Sequence, residues 1–261
     1  MPATSSTSSA SAPSARQPAR PPAPTSNLPR MHVILVPGFW LDASAWDDVA
    51  PVLREAGHSV QAVTRDGDTL DEQVAALVAI LDDVASADEP VVLAGHSGAG
   101  PIAYMAADQR PSLVAHLLYV DTFPGPEGGC VNDELPVVDG VVPLPPWDIW
   151  EPATVRGMTP EVRQDVEHRA IPEPASVPSD RFHYADPTRH TIPATIITCE
   201  IPAAELLAMV ADHQAWAAEL VATEELSIVG LETGHWPMFT APQQLGELMV
   251  QALAPKPTQA P

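Results

Sequence analysis

The sequence predicts an α/β fold, a mostly parallel central sheet flanked by helices and carrying an inserted cap. Three observations predict it. Continuous apolar runs alternate with amphipathic ones up to residue 123 and again after residue 190. The stretch from Val91 to Ala107 reads as strand, tight turn and helix without a break. Residues 124–190 interrupt the alternation with a segment rich in Pro and Gly. Apolar strands lacking polar alternation, separated by helices, indicate a sheet covered on both faces.

The elements follow in order. His32–Val36 is an apolar strand that runs into the turn Pro37-Gly38-Phe39-Trp40. A helical stretch over Ala43–Ala56 places Trp46, Val49, Ala50 and Leu53 at helical spacing; Pro51 divides it and Gly57 stops it. Ser59–Val63 is the second strand. Thr69 and Glu72 have the spacing of a capping box, ahead of a helix that puts Val74, Leu77, Val78 and Leu81 on one face. The Val91–Ala94 strand and its helix come next, then a strand at Ala115–Val120. Inside residues 124–190 one helix is predicted, Pro160–Arg169, capped by Thr159. Afterwards come a strand at Ile192–Thr198, a helix at Ala203–Val221, a strand at Leu226–Val229 and a last helix at Pro242–Leu253 with Thr240 as its cap. The organisation is thus a tail at 1–30, a core at 31–123 and 191–254, a cap at 124–190 and a frayed end at 255–261.

Composition narrows the class. Twenty of residues 1–30 are Ser, Ala or Pro and none is acidic, so this segment has too little apolar surface to fold and is expected to be a disordered tail. The chain has 12 basic and 34 acidic residues, which disfavours nucleic acid and anionic membrane as partners. No apolar run reaches the length of a membrane span, and no secretory h-region is visible, so a cytoplasmic location is expected. Cys130 and Cys199 are expected as free thiols. No metal-ligand spacing appears, so neither metal nor cofactor is expected.

The chemistry is read from the ends of strands, where open parallel sheets gather functional groups. Ser97 sits in Gly95-His96-Ser97-Gly98-Ala99-Gly100, between a strand and a helix. A nucleophile on a strained turn requires such small neighbours. An incidental serine in a glycine-rich loop would share the glycines, but not the strand and helix on both sides. A serine needs a base, and the base needs an orienting acid. His235, in Thr233-Gly234-His235-Trp236 after the last strand, is the best-placed histidine. Asp121 and Glu200, each after a strand, are the two leading acids, with Asp121 favoured. A tetrahedral intermediate needs two N–H donors, which Gly98 and Phe39 can supply.

These motifs resemble the α/β-hydrolase family, most closely its small esterases and the plant esterase and hydroxynitrile-lyase relatives. The resemblance covers most of residues 31–254 and follows the family order Ser, Asp, His. Two departures stand out. Pro37 occupies a position where many members have His. The commonest family site for the acid, beyond the strand ending at Thr198, holds Glu200 and no Asp. A minority of members place the acid about two dozen residues after the nucleophile, and Asp121 follows Ser97 by 24. The resemblance implies a carboxylic-ester hydrolase.

Trp40, Trp147, Trp150 and Trp236 are expected to wall an apolar substrate pocket, so the expected partner is a small, neutral, moderately apolar ester or lactone. No Arg or Lys stands beside the motifs in sequence. A cyanohydrin lyase would need a cation near the site, and Lys256 is the single lysine. A ligand-binding receptor built on an inactive hydrolase is the remaining alternative.

Overall fold

The computed structural model describes residues 29–84 and 89–255. Apart from Pro29 and Arg30, the expected tail lies outside the described residues, as does the expected frayed end beyond Pro255. Arg30 itself is tied down, by an ion pair to Glu89 at 2.8 Å and a hydrogen bond to the Ser59 hydroxyl at 2.9 Å.

The first half of the chain alternates strand and helix: β1 (His32–Val36), α1 (Ala50–Glu55), β2 (Ser59–Ala62), α2 (Leu70–Val84), β3 (Val91–His96), α3 (Ala99–Gln109) and β4 (Val114–Val120). The insertion holds the two-residue strands β5 (Val141–Val142) and β6 (Glu173–Pro174), paired antiparallel, with α4 (Pro160–Arg169) between them. The core resumes with β7 (Ala194–Thr198), α5 (Ala203–Ala211), α6 (Ala218–Ala222), β8 (Leu226–Gly230), α7 (Pro237–Thr240) and α8 (Pro242–Ala252).

Six strands form one sheet in the order β2-β1-β3-β4-β7-β8, every neighbouring pair parallel. The two-residue period of a strand sends alternate side chains to opposite faces. Ile34, Leu93, Leu117 and Tyr119 join α2 and α3 in one core layer. Leu35, Val92, Leu118 and Val120 join Trp46 of the preceding turn, Leu53 of α1 and Leu245 of α8 in the other. Burial on both faces explains why the inner strands β1, β3, β4 and β7 read as largely apolar runs.

The strand order also places the site. From β1 the chain moves outward to β2, then returns to build β3 on the opposite flank of β1. The segments leaving the C-terminal ends of β1 and β3 therefore diverge, and a crevice opens where ligands bind in sheets of this kind.

Three local expectations need correction. The Ala43–Ala56 stretch is a 3-10 turn, Ala43–Trp46, followed by α1; Pro51 lies in the first turn of α1, where its missing N–H removes no helical bond. Ala203–Val221 is not one helix: α5 stops at Ala211 and His213 turns left-handed, at φ 51°, before a 3-10 turn leads into α6. Thr240 does not cap α8, whose N-cap is Ala241; Thr240 closes α7 and its hydroxyl donates to the Trp236 carbonyl at 3.1 Å. The Thr69–Glu72 capping box and the Thr159 cap form as read, through Glu72 N–H and Val162 N–H donating to the two threonine hydroxyls. Among the described residues no helix is long and apolar enough to cross a membrane.

Candidate active site

Each candidate group emerges from a strand end. Ser97 follows β3 with φ 50°, Asp121 follows β4 with φ 49°, and Trp40 follows the turn after β1 with φ 63°. These are three of the five described non-glycine residues with positive φ. Each such conformation costs about 1–2 kcal/mol for an L-residue and persists only where its surroundings enforce it. At Ser97 the enforcement is visible: its N–H donates to the Val120 carbonyl at 3.2 Å, while Gly100 N–H returns to the Ser97 carbonyl at 2.9 Å.

The fold brings Ser97, His235 and Asp121 into one hydrogen-bonded line. Ser97 Oγ lies 2.8 Å from His235 Nε2, and His235 Nδ1 lies 2.6 Å from Asp121 Oδ2. The other carboxylate oxygen of Asp121 accepts from Cys199 N–H at 2.7 Å and Glu200 N–H at 3.2 Å. Glu200 also arrives, its Oε2 3.4 Å from His235 Nδ1. The two acids considered from sequence thus both face the same imidazole nitrogen, Asp121 at hydrogen-bond distance and Glu200 beyond it.

The backbone of His235 is held at both ends. Its N–H donates to the Thr154 carbonyl at 2.8 Å, and its carbonyl accepts from His96 Nε2 at 2.7 Å. Burial and the charge of His235 push His96 down to about 3, so it stays neutral and can serve as that donor. Burial pulls the His235 imidazole down, but its hydrogen bond to Asp121, the facing Glu200 carboxylate and the charges of both outweigh that and lift it to about 9. Burial raises the Asp121 carboxyl, yet the His235 bond and charge and the two amides bring it below its ordinary value. Asp121, Glu200 and His235 are the one described group of His, Cys, Asp or Glu close enough to hold a metal ion. Asp121 and His235 are already committed to one another, and Asp121 to the two amides, which makes them a carboxylate–imidazole pair with Glu200 beside it.

The turn after β1 lies directly over Ser97. A Cβ on Gly38 would stand 2.6 Å from His96 Nδ1 and 2.9 Å from Ser97 Cβ, and one on Gly98 would stand 2.5 Å from the Phe39 ring. Only glycine allows these approaches. The N–H groups of Phe39 and Gly98 have no acceptor among the described residues. Arg65, just past β2, donates to the Pro37 and Gly38 carbonyls and pairs with Glu173 of β6. An arginine does stand beside the motif, then, although its charge is spent on a partner within the protein.

Comparison with known proteins now bears on this arrangement. Residues 33–248 match the model of the alpha/beta hydrolase family. The chain belongs to that family. Among curated relatives, lipase LipV of Mycobacterium tuberculosis is 39% identical over 88 residues, covering 34% of this chain and 31% of its own length. Methylesterase 7 of Arabidopsis thaliana is 35% identical over 101 residues, covering 34% of this chain and 39% of its own. These matches span 31% and 39% of the relatives' lengths. Among solved structures, an extracellular alpha/beta-hydrolase from a Paenibacillus species, said to share structural and functional homology with tobacco salicylic acid binding protein 2, superposes with a TM-score of 0.68. It is 20% identical, over 85% of this chain and 98% of that one. Polyneuridine aldehyde esterase superposes with a TM-score of 0.62 at 18% identity, over 85% of this chain and 98% of its own. At such identities the likeness speaks to the fold.

In this alpha/beta hydrolase a cavity of about 300 Å³ opens beside Ser97 and His235. Pro101 and Phe123 wall it from the core; Cys130, Val131 and Phe182 wall it from the insertion. The four tryptophans expected there are elsewhere. Trp236 is buried against Trp147 and Trp150, with ring centroids 5.2 and 5.3 Å away. Trp150 meets Trp40 at 6.0 Å, and the Trp40 indole N–H donates to the Val142 carbonyl at 3.1 Å. Large rings gain most by burying edge to face against one another, and here they do so behind His235. Phe182, Cys130, Arg65 and Glu173 carried no local signal in sequence, because each reaches the site through contacts far along the chain.

Proposed function

We propose that the protein is a carboxylic-ester hydrolase with Ser97 as nucleophile, His235 as general base and Asp121 as the acid that orients it. The carrying observation is the Ser97–His235–Asp121 line, at 2.8 and 2.6 Å, opening into a cavity. As Ser97 Oγ attacks the ester carbonyl, its proton passes to His235 Nε2. Asp121 keeps the other imidazole proton on Nδ1 and stabilises the resulting cation. The N–H groups of Phe39 and Gly98 receive the carbonyl oxygen as it gains charge. His235 then returns its proton to the leaving alcohol. Water, activated by the same imidazole, releases the acyl group from Ser97.

The substrate proposed is a neutral, compact, moderately apolar ester or lactone. A cavity of about 300 Å³ sits at the small end of ligand pockets, and Pro101, Phe123, Val131 and Phe182 give it apolar walls. Names among the relatives, lipase, methylesterase and polyneuridine aldehyde esterase, agree with ester cleavage. The test is labelling by a fluorophosphonate together with turnover of p-nitrophenyl acetate, butyrate and dodecanoate. Wild-type protein should label and prefer the short esters. Ser97→Ala should not label and should lose about 10⁴-fold or more in kcat. Absence of labelling in native protein would overturn the reading in favour of a binding function. Release of benzaldehyde from mandelonitrile without ester turnover would favour a lyase.

A further inference from the structure

We infer that the buried Arg65–Glu173 pair is a positioning device that aims the Phe39 N–H at the reacting carbonyl and ties that donor to the insertion. The inference rests on the hydrolase reading of the Ser97 site and adds two residues to it. Both side chains are nearly inaccessible, at 6% and 4% exposure. Burying an ion pair costs desolvation that its attraction often only just repays, so its worth is better sought in geometry than in stability.

The geometry is specific to one loop. Arg65 Nε donates to the Pro37 carbonyl at 3.0 Å and Nη2 to the Gly38 carbonyl at 3.0 Å. Its Nη1 reaches Gln73 Oε1 and Glu173 Oε2, each at 2.8 Å, while Nη2 also pairs with Glu173 Oε1. That same Oε1 accepts the Trp40 N–H at 2.9 Å, which holds Trp40 at its left-handed φ. The two residues therefore grip main-chain groups on both sides of Phe39. A trans peptide is planar, so its C=O and N–H point in opposite directions. With the Gly38 carbonyl drawn to Arg65, the Phe39 N–H of the same peptide is turned away from it and left free to donate. The guanidinium also lies over the Phe39 ring, 5.3 Å from its centroid, and that ring packs where a Cβ on Gly98 would be. The second donor thus rests against the same assembly.

Glu173 belongs to the insertion and Arg65 to the core, so a shift of the insertion would move the oxyanion donor. Lysine cannot stand in for Arg65, because a single ammonium lacks the planar fork that spans two carbonyls and a carboxylate.

The test measures p-nitrophenyl acetate kinetics and inhibition by a trifluoromethyl ketone, whose hemiketal with Ser97 carries an oxyanion. In Glu173→Ala, kcat should fall about 10²-fold, the size of effect that misplacing a donor produces. KM should stay within about threefold, and the ketone's inhibition constant should rise by the same factor as kcat/KM falls. Glu173→Gln keeps the acceptor for Trp40 and nearly the same volume, so it should fall between wild type and Glu173→Ala and serves if the alanine variant does not fold. Arg65→Lys should lose kcat as Glu173→Ala does. Unchanged kcat in Glu173→Gln and Arg65→Lys, or a fall in kcat with no change in ketone affinity, would overturn the inference while leaving the hydrolase reading intact. A wild type without esterase activity or fluorophosphonate labelling would instead remove that reading, and this one with it.

Discussion

Residues 91–109 and residues 124–190 serve the same few atoms by different means. The first region encodes its contribution locally: β3 ends, the chain turns through Ser97 at φ 50°, and α3 begins two residues later. The small residues that permit the turn, Gly95, Gly98 and Gly100, lie within a few positions of Ser97, and one longer bond, from Ser97 N–H to the Val120 carbonyl, fastens it. The second region has little regular structure and acts at a distance. Thr154 holds the His235 N–H, Glu173 holds the Trp40 N–H, and Phe182 walls the cavity. The turn that presents Ser97 can thus be specified largely by a short stretch of sequence, whereas the alignment of what surrounds it is distributed across the fold. If that division is right, substitutions at strand ends of the core should cost more than substitutions in the insertion.

The largest expected effect after loss of Ser97 tests the core side. An Asn in place of the orienting acid offers an N–H to the imidazole and favours the wrong tautomer, which in serine proteases costs about 10⁴-fold. Here Glu200 Oε2 stands 3.4 Å from the same nitrogen and can accept the Nδ1 proton after a small movement. Asp121→Asn should therefore lose only about 10²–10³-fold in kcat/KM, and Asp121→Asn combined with Glu200→Gln should reach about 10⁴-fold. The two effects should be strongly non-additive in kinetics with p-nitrophenyl acetate. A full loss in the single variant would show that Glu200 does not act as a reserve partner. A loss smaller than that of Glu173→Ala would break the comparison itself.

Glu200 also sharpens the contrast through pH. In the proposed mechanism His235 must be neutral to take the Ser97 proton, and Asp121 and Glu200 together lift it to about 9. It follows that kcat/KM should rise with pH through a limb near 9. Removing one negative neighbour weakens the imidazolium, so Glu200→Gln should move that limb to lower pH and raise the fraction of active protein at neutrality. Neither Glu173 nor Arg65 is among the main groups that shift His235, so Glu173→Gln should leave the limb in place. A pH–rate profile of the three proteins decides between the two roles. A limb unmoved in Glu200→Gln would place that carboxylate outside the titrating unit.

The same division explains what could be read from sequence. The inner strands β1, β3, β4 and β7 were legible because they are buried on both faces, and Leu77 and Leu81 gave α2 away by period. Ser97 was legible because its turn demands small neighbours on either side. The choice between Asp121 and Glu200 stayed open for a physical reason: β4 and β7 are neighbours in the sheet, and their ends deliver both carboxylates to one imidazole. The break at His213 was hidden, since helical residues on either side make a continuous pattern and one left-handed residue leaves no apolar signature. Arg65 and Glu173 lie 108 residues apart and meet only after the sheet and insertion have formed. The tryptophans misled because an aromatic near a motif in sequence can pack behind the motif in space. Trp236, next to His235, turns toward Trp147 and Trp150 and away from the cavity.

The smallest expected effect uses one helix to separate local from distant support. At the N-terminus of α2, the Thr69 hydroxyl accepts Glu72 N–H at 3.2 Å, and Glu72 Oε2 accepts Asp68 N–H at 2.8 Å and Thr69 N–H at 3.2 Å. The next amide, Leu70 N–H, is taken at 3.2 Å by Asp180 of the insertion. A helix start thus receives one fastening from its own sequence and another from far along the chain, as the Ser97 turn does. Removing a threonine cap costs about 1 kcal/mol. In a protein of this size Thr69→Ala should therefore lower Tm by about 2–4 °C. Its kcat should stay at the wild-type value, because no bond of the Thr69 side chain reaches the loops around Ser97. Asp180→Ala should cost a similar amount of stability and, by loosening the insertion that walls the cavity, also raise KM. Equal KM values in the two variants would mean that the insertion is held in place without this bond. A fall in kcat for Thr69→Ala would mean that local and distant supports are not separable here.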